Sequence, residues 1–189
     1  MTLCRMTHSW MIWKWGGRMN NGKCIYFVEG SCEQQLIRAL REVPEKVIPG
    51  KVKVFNVIQK LLPKSQLLAI QPGTKVAFVF DTDIEVTAHL RRNVELIRKY
   101  CGAVQIVYLP QVLNLEDELV RCTDVKRASE LTKSSGTNKF KTDFCRMKPA
   151  DCRRLLERHG IETEKLWQTQ VPAAFAFIEE NAGLIRTRR

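Results

Sequence analysis

The chain reads as an α/β protein with a mainly parallel sheet flanked by helices, carrying a small helical extension at its C-terminal end. Three observations predict this class: short all-apolar runs, amphipathic helical patterns between them, and turn residues at the junctions. The runs Ile25-Tyr26-Phe27-Val28 and Val76-Ala77-Phe78-Val79-Phe80 are continuously apolar, and residues 104–109 are apolar apart from Gln105. A sheet with one solvated face would alternate instead, so these strands are expected to be covered on both faces.

The first strand ends at Glu29-Gly30. Ser31 and Gln34 have capping-box spacing, and Leu36, Ile37, Leu40 and Val43 recur at helical intervals. Pro44 and Pro49-Gly50 close that unit. Val52, Val54, Phe55 and Val57 predict a second strand, followed by a short helix near 57–62 that Pro63 breaks. After the Pro72-Gly73 turn comes the clearest strand, 75–80, which stops at Asp81-Thr82-Asp83. A helix is expected over 85–100, with Val86, Leu90, Val94 and Ile97 inward and Arg91, Arg92, Arg98 and Lys99 outward. Gly102 stops it, the 104–109 strand follows, and Asn114 caps a helix opening Leu115-Glu116-Asp117-Glu118. Residues 132–141 are polar and read as an exposed loop. Asp151 is placed to cap a helix running to Arg158, with Gly160 just beyond. Pro172 opens a last predicted helix carrying Phe175, Ile178 and Ile185.

The expected organisation is therefore an α/β domain over 23–120 and a basic loop and helical extension over 121–189 packed on it. Residues 1–22, with Trp10, Trp13 and Trp15 among basic residues, match neither and are expected to be a poorly structured or non-native extension. They have no uninterrupted apolar stretch with a cleavage site, so a signal peptide is not predicted.

Right-handed crossovers would bring all strand C-termini to one edge, where open α/β sheets place their sites. Glu29, the Asp81/Asp83 pair and the 116–118 acids each follow a strand and so converge on one rim. Carboxylates gathered this way repel unless a cation neutralises them. Oxygen ligands without His or Cys favour magnesium or manganese over zinc. Each residue also has a plainer role: Gly30 supplying a turn after Glu29, Asp83 capping the next helix, Asp117 completing a capping box with Asn114, and Glu33 favouring its helix dipole.

Bulk properties fit this reading. The 189 residues are 44% hydrophobic and 27% charged, with a formal net charge of +11. A basic surplus favours polyanions, nucleic acid above all, and the apolar runs are far too short to span a bilayer. The seven cysteines contain no C-x-x-C pair, which predicts reduced thiols in a cytoplasmic protein and no zinc knuckle. Lys133, Lys139, Lys141, Arg146 and Lys148, with Arg127, form a basic stretch that is either solvated surface or a clamp for a phosphate backbone.

The string Val-Glu-Gly-Ser-Cys-Glu at 28–33, followed by Phe-Val-Phe-Asp-Thr-Asp at 78–83, resembles the Toprim pattern of a glutamate after the first strand and a later D-x-D. The E-G-x-x-E form of Glu29 and Glu33 is closest to small nucleases of the OLD and RloB-like kind. The resemblance spans about residues 23–120 and implies a Rossmann-like, Toprim-like sheet. It implies that Asp81 and Asp83 are metal ligands and that Glu29 is a ligand or general acid/base. Glu33 with one of Glu116, Asp117 or Glu118 would complete a second metal site. The basic residue such sites use has Lys139, Lys141 and Lys148 as candidates. A magnesium- or manganese-dependent nuclease acting on RNA or DNA is the expected activity. The rivals are a non-catalytic nucleic-acid-binding or adaptor module and a phosphoryl-transfer enzyme acting on small molecules.

Overall fold

A computed structural model describes residues 23–187. Strands β1 (Cys24–Val28), β2 (Gly50–Val54), β3 (Lys75–Asp81) and β4 (Gln105–Gln111) form one all-parallel sheet in the order β2-β1-β3-β4. The helices are α1 (Ser31–Leu40), α2 (Lys64–Leu68), α3 (Ala88–Tyr100), α4 (Leu115–Cys122), α5 (Ala128–Leu131), α6 (Thr137–Arg146) and α7 (Pro149–Arg158), followed by two 3-10 turns. This is the α/β, Rossmann-like class the apolar runs predict.

Side chains alternate between two cores. Tyr26, Val28, Ala77, Val79, Val107 and Leu109 face the layer of α1, α4, α6 and α7, whereas Phe27, Phe78 and Phe80 face that of α3. Removing each of these phenylalanines from water contributes about 2–3 kcal/mol, and the central positions of β1 and β3 are accordingly all apolar. The buried Tyr26 hydroxyl donates to the Ile48 carbonyl at 2.7 Å, so it is satisfied rather than stranded.

The chain runs from β1 outward to β2, then crosses to β3 on the other side of β1. The order in which strands are added reverses between β1 and β3, and a crevice is expected there at the carboxyl ends. Val28 lies opposite Val79, and Asp81 opposite Gln111, so the residues leaving β1, β3 and β4 share one rim.

Several elements differ from expectation. Gly30, in extended conformation, is the residue that caps α1, and Ser31 is already helical with no side-chain cap bond. Val43 lies past the helix end and is 88% exposed. No helix forms over 57–62. Asn56 accepts from the Ile58 and Gln59 backbone N–H groups at 3.0 and 2.9 Å and turns the chain instead. Pro63 opens α2 rather than ending a helix, consistent with its preset φ. Helix α3 starts only at Ala88, leaving Val86 59% exposed, and Thr87 stands at its cap, so Asp83 caps nothing.

The polar texture of 132–141 is misleading. From Thr137 onward the segment is α6, anchored by the buried rings of Phe140 and Phe144 with centroids 5.2 Å apart. Two apolar residues one turn apart outweigh the lysines on the opposite side. The last predicted helix is only the 3-10 turns Ala173–Phe175 and Ala182–Ile185, though Phe175 stacks on Phe80 at 5.7 Å and fastens that segment to the sheet. Asn114 caps α4 by accepting from Asp117 N–H at 3.0 Å, and Gly102 and Gly160 stop their helices at φ 67° and 63°. The expectation for residues 1–22 lies outside the described residues. Among the described residues, no helix is long and apolar enough to cross a membrane.

Candidate functional site

The end of β1 delivers Glu29 into the crevice between β1 and β3. Its Oε2 accepts from the Asp81 backbone N–H at 3.3 Å, and its Oε1 accepts from Asn56 Nδ2 at 2.7 Å. Asn56 is itself fixed by the turn it makes after β2. One carboxylate thus ties together the ends of three adjacent strands. Sequence reasoning missed Asn56; its signal was an Asn two residues past a strand, where the helix pattern drew attention instead.

Asp81 closes β3 on the face covered by α1 and α4. Burial first, then the charges of Glu33, Glu29, Asp83 and Glu116, push its carboxyl up to about 8. Its Oδ1 is buried without any hydrogen-bond partner. Glu33, in the first turn of α1, is only 7% exposed. Burial raises it, its own N–H and that of Gly30 oppose the rise, and Glu29 and Glu116 add to it. A Cβ on Gly30 would lie 3.0 Å from Glu33 Oε2, so a side chain there would crowd this carboxylate. Glu29 is also raised, chiefly by burial, with the Asp81 N–H and Asn56 opposing and Asp83 reinforcing.

Helix α4 brings Glu116 to the same group, and α6 brings the counter-charge. Lys141 Nζ lies 3.1 Å from Glu116 Oε1. Partial burial lowers the Lys141 ammonium, but Glu116, Cys32 and Asp81 outweigh it and hold it above its ordinary value. Of the three lysines considered for this role, Lys141 is the one the fold places here. Lys139 pairs with Asp143 at 3.1 Å, and Lys148 is exposed at the start of α7. Lys133, at φ 55°, and Arg146 are exposed, and among the described residues neither forms an ion pair with the rim acids.

The remaining acids separate clearly. Asp83 is exposed on the loop after β3 and acts on Glu29 and Asp81 through its charge. Asp117 contributes its backbone N–H to the Asn114 cap, and its carboxylate enters none of the rim's interactions. Glu118 is fully buried, paired with Arg121 at 2.6 Å and accepting from the Trp167 N–H at 2.5 Å. That carboxylate is already neutralised and holds the C-terminal segment to α4.

Two further features of the rim were not foreseen. Gln111, opposite Asp81 on β4, is fully buried, and neither its Oε1 nor its Nε2 has a partner. Thr82, between the two aspartates, donates its N–H to the Gln111 and Leu113 carbonyls at 3.1 and 3.2 Å, while its Oγ1 accepts from Leu113 N–H at 3.1 Å. This clamp holds Leu113 at φ 68°, a left-handed conformation that costs a non-glycine residue about 1–2 kcal/mol. Backbone strain of this kind collects at functional sites.

The donor set is of the hard-oxygen kind that suits a divalent cation. Three raised carboxyls, an orphaned Asp81 oxygen and an orphaned Gln111 amide are all hard oxygen donors whose burial is unfavourable until a positive charge arrives. Asp81, Glu29, Glu33 and Glu116 could hold it, with Asp83 at the mouth. Among the described residues, no group of three or more His, Cys, Asp or Glu side chains is arranged so that it could hold a metal ion as it stands. A cavity of about 1250 Å³ lies at the opposite edge, lined by Lys23, Arg41, Lys51, Lys75 and Arg186 among others. Its charged lining is mostly basic, with Glu45 as an acid among the cations. The fold and rim together define a Rossmann-like α/β protein with a desolvated acidic edge. The chain matches no family model, no curated protein and no solved structure.

Proposed function

We propose that the chain is a divalent-metal-dependent phosphodiesterase cleaving nucleic acid, with magnesium or manganese held by Asp81, Asp83, Glu29, Glu33 and Glu116. The observation that carries this reading is the gathering of Glu29, Glu33, Asp81 and Glu116 at one strand edge, where, beyond burial, Glu29 and Glu116 raise Glu33 and all three raise Asp81, beside the ammonium of Lys141. The Toprim-like order of Glu29, Glu33, Asp81 and Asp83 and the +11 net charge support the same conclusion. When bound, the cation would neutralise and polarise a phosphate group.

The chain's own residues have distinct parts. Asn56 and the Asp81 N–H fix Glu29 in one orientation, so its carboxyl meets the crevice at a defined angle. Burial raises its pKa above the ordinary carboxylate range, the direction that suits a general acid or base. Lys141, 54% exposed and tethered only to Glu116, can turn to a phosphate oxygen. The desolvated walls strengthen each of these interactions.

The test is cleavage of transfer RNA, single-stranded DNA and duplex DNA with magnesium or manganese. The double variant Asp81→Asn, Asp83→Asn is expected to lose cleavage while unfolding at the same denaturant concentration as the parent. Undiminished cleavage would remove the proposal. Salt-dependent binding without product from the parent would make the chain a nucleic-acid-binding module instead.

A further inference from the structure

Behind the acidic rim, α1 and α6 meet through two thiols. Cys32 Sγ lies 2.9 Å from Cys145 Sγ, although the residues are 113 apart in the chain. Both are free cysteines, Cys32 buried and Cys145 half-buried, with Cys145 Sγ also 3.3 Å from Ser31 Oγ. Sulfur atoms this close need less than about 1 Å of approach to reach bonding distance. Cys32 immediately precedes Glu33, and Cys145 lies one helical turn after Lys141, whose carbonyl is 3.7 Å from Cys32 Sγ.

We propose that Cys32 and Cys145 form a reversible disulfide that fastens the Lys141 helix to the first turn of α1. The oxidant is a peroxide. Cys145, the more accessible thiol, attacks one peroxide oxygen, the O–O bond breaks, and water leaves as a sulfenic acid forms. Cys32 sulfur then attacks the sulfenyl sulfur, its proton passes to the departing hydroxyl, and a second water leaves. Two thiols lose two electrons in total and the peroxide gains them. The burial of Cys32 lets only its half-buried partner meet the peroxide first, which fixes the order of the two steps. Cross-linking over so long a stretch of chain constrains the unfolded state strongly, so the oxidised form is expected to be the more stable. Formation of the bond is independent of the nuclease reading; a change in cleavage on oxidation would rest on it.

Full-length protein is treated with hydrogen peroxide, alkylated, digested without reductant and mapped by mass spectrometry. A peptide linking Cys32 to Cys145, reversed by dithiothreitol, is expected, with the remaining cysteines alkylated. The oxidised parent should melt higher than the reduced parent, and Cys145→Ser should give neither the linked peptide nor the shift. Both cysteines remaining alkylatable, or Cys145 advancing to sulfinic acid without the link, would overturn the proposal. A linked peptide in a protein that cleaves no nucleic acid would leave the disulfide standing and remove only the proposed activity.

Discussion

The two edges of the sheet carry opposite charge and use it differently. At the amino edge, cations line a wide cavity but several have partners. Lys75 Nζ donates to the Leu184 carbonyl at 2.7 Å, Lys23 Nζ to Gln71 Oε1 at 2.5 Å, and Arg186 Nη2 to the Leu166 carbonyl at 3.2 Å. These charges tie the C-terminal turns and the loops to the sheet. At the carboxyl edge, Glu29, Glu33 and Asp81 are packed together with Lys141 as their nearby cation, and the Asp81 and Gln111 side chains end in unpartnered polar atoms. Charge at the amino edge mainly ties segments together, whereas at the carboxyl edge buried carboxylates crowd one another. The cost of holding such carboxylates out of water is sustained only by the aromatic and aliphatic cores beneath them.

Glu118 gives the comparison its largest test, because it sits on the same helix as Glu116 yet has its charge paired. Glu118→Ala should destabilise by about 3 kcal/mol, since it strands Arg121 and the Trp167 N–H, and Glu118→Gln should lose less by keeping an acceptor. Urea denaturation reads the difference. Divalent-ion binding by the folded fraction should be unchanged, whereas a loss of binding would place Glu118 in the site.

Asn56 makes the opposite case: a neutral residue whose value lies in what it holds. Asn56→Ala frees Glu29 Oε1 and should weaken divalent-ion affinity on the order of tenfold to a hundredfold. Thermal unfolding of the ion-free protein would check that the fold persists. Equal affinity in parent and variant would mean that Glu29 needs no such support.

Leu113 offers the smallest and subtlest effect. Leu113→Gly relieves a positive φ but adds chain entropy, for a net gain of about 0.5–1 kcal/mol in stability. A stability gain with weaker nucleic-acid binding would mark the exposed side chain as part of the working edge. A loss of stability would show that no strain is stored there.

Much of this was legible in the sequence because it depends on local signals. Continuous apolar runs fixed the strands, and the acids directly after them had to share an edge once the sheet was parallel. Glu29 and Asp81 needed no more than that. Asn56 and Gln111 were not legible, because a polar residue near a strand end becomes informative only when its partner, or the lack of one, is known. Lys141 could not be separated from Lys139 and Lys148 in the sequence, since a surface lysine and a rim lysine have the same composition. Its position depends on Phe140 and Phe144 docking α6 against α1, a contact between segments more than a hundred residues apart. Glu116 could not be told from Asp117 and Glu118 for a related reason: three consecutive acids opening a helix point in three directions, and Glu116 is the one that pairs with Lys141 and acts on Glu33 and Asp81.

The most direct test of the central claim is calorimetric titration of the parent and Asp81→Asn with manganese at pH 6.5 and pH 8.5. Asp81, raised to about 8, keeps its proton at the lower pH. An arriving cation must displace that proton, so affinity should rise as pH passes upward through about 8. Saturable binding that tightens with pH in the parent and vanishes in Asp81→Asn is the expected result. Binding of equal strength in both proteins, or none in the parent at either pH, would contradict it.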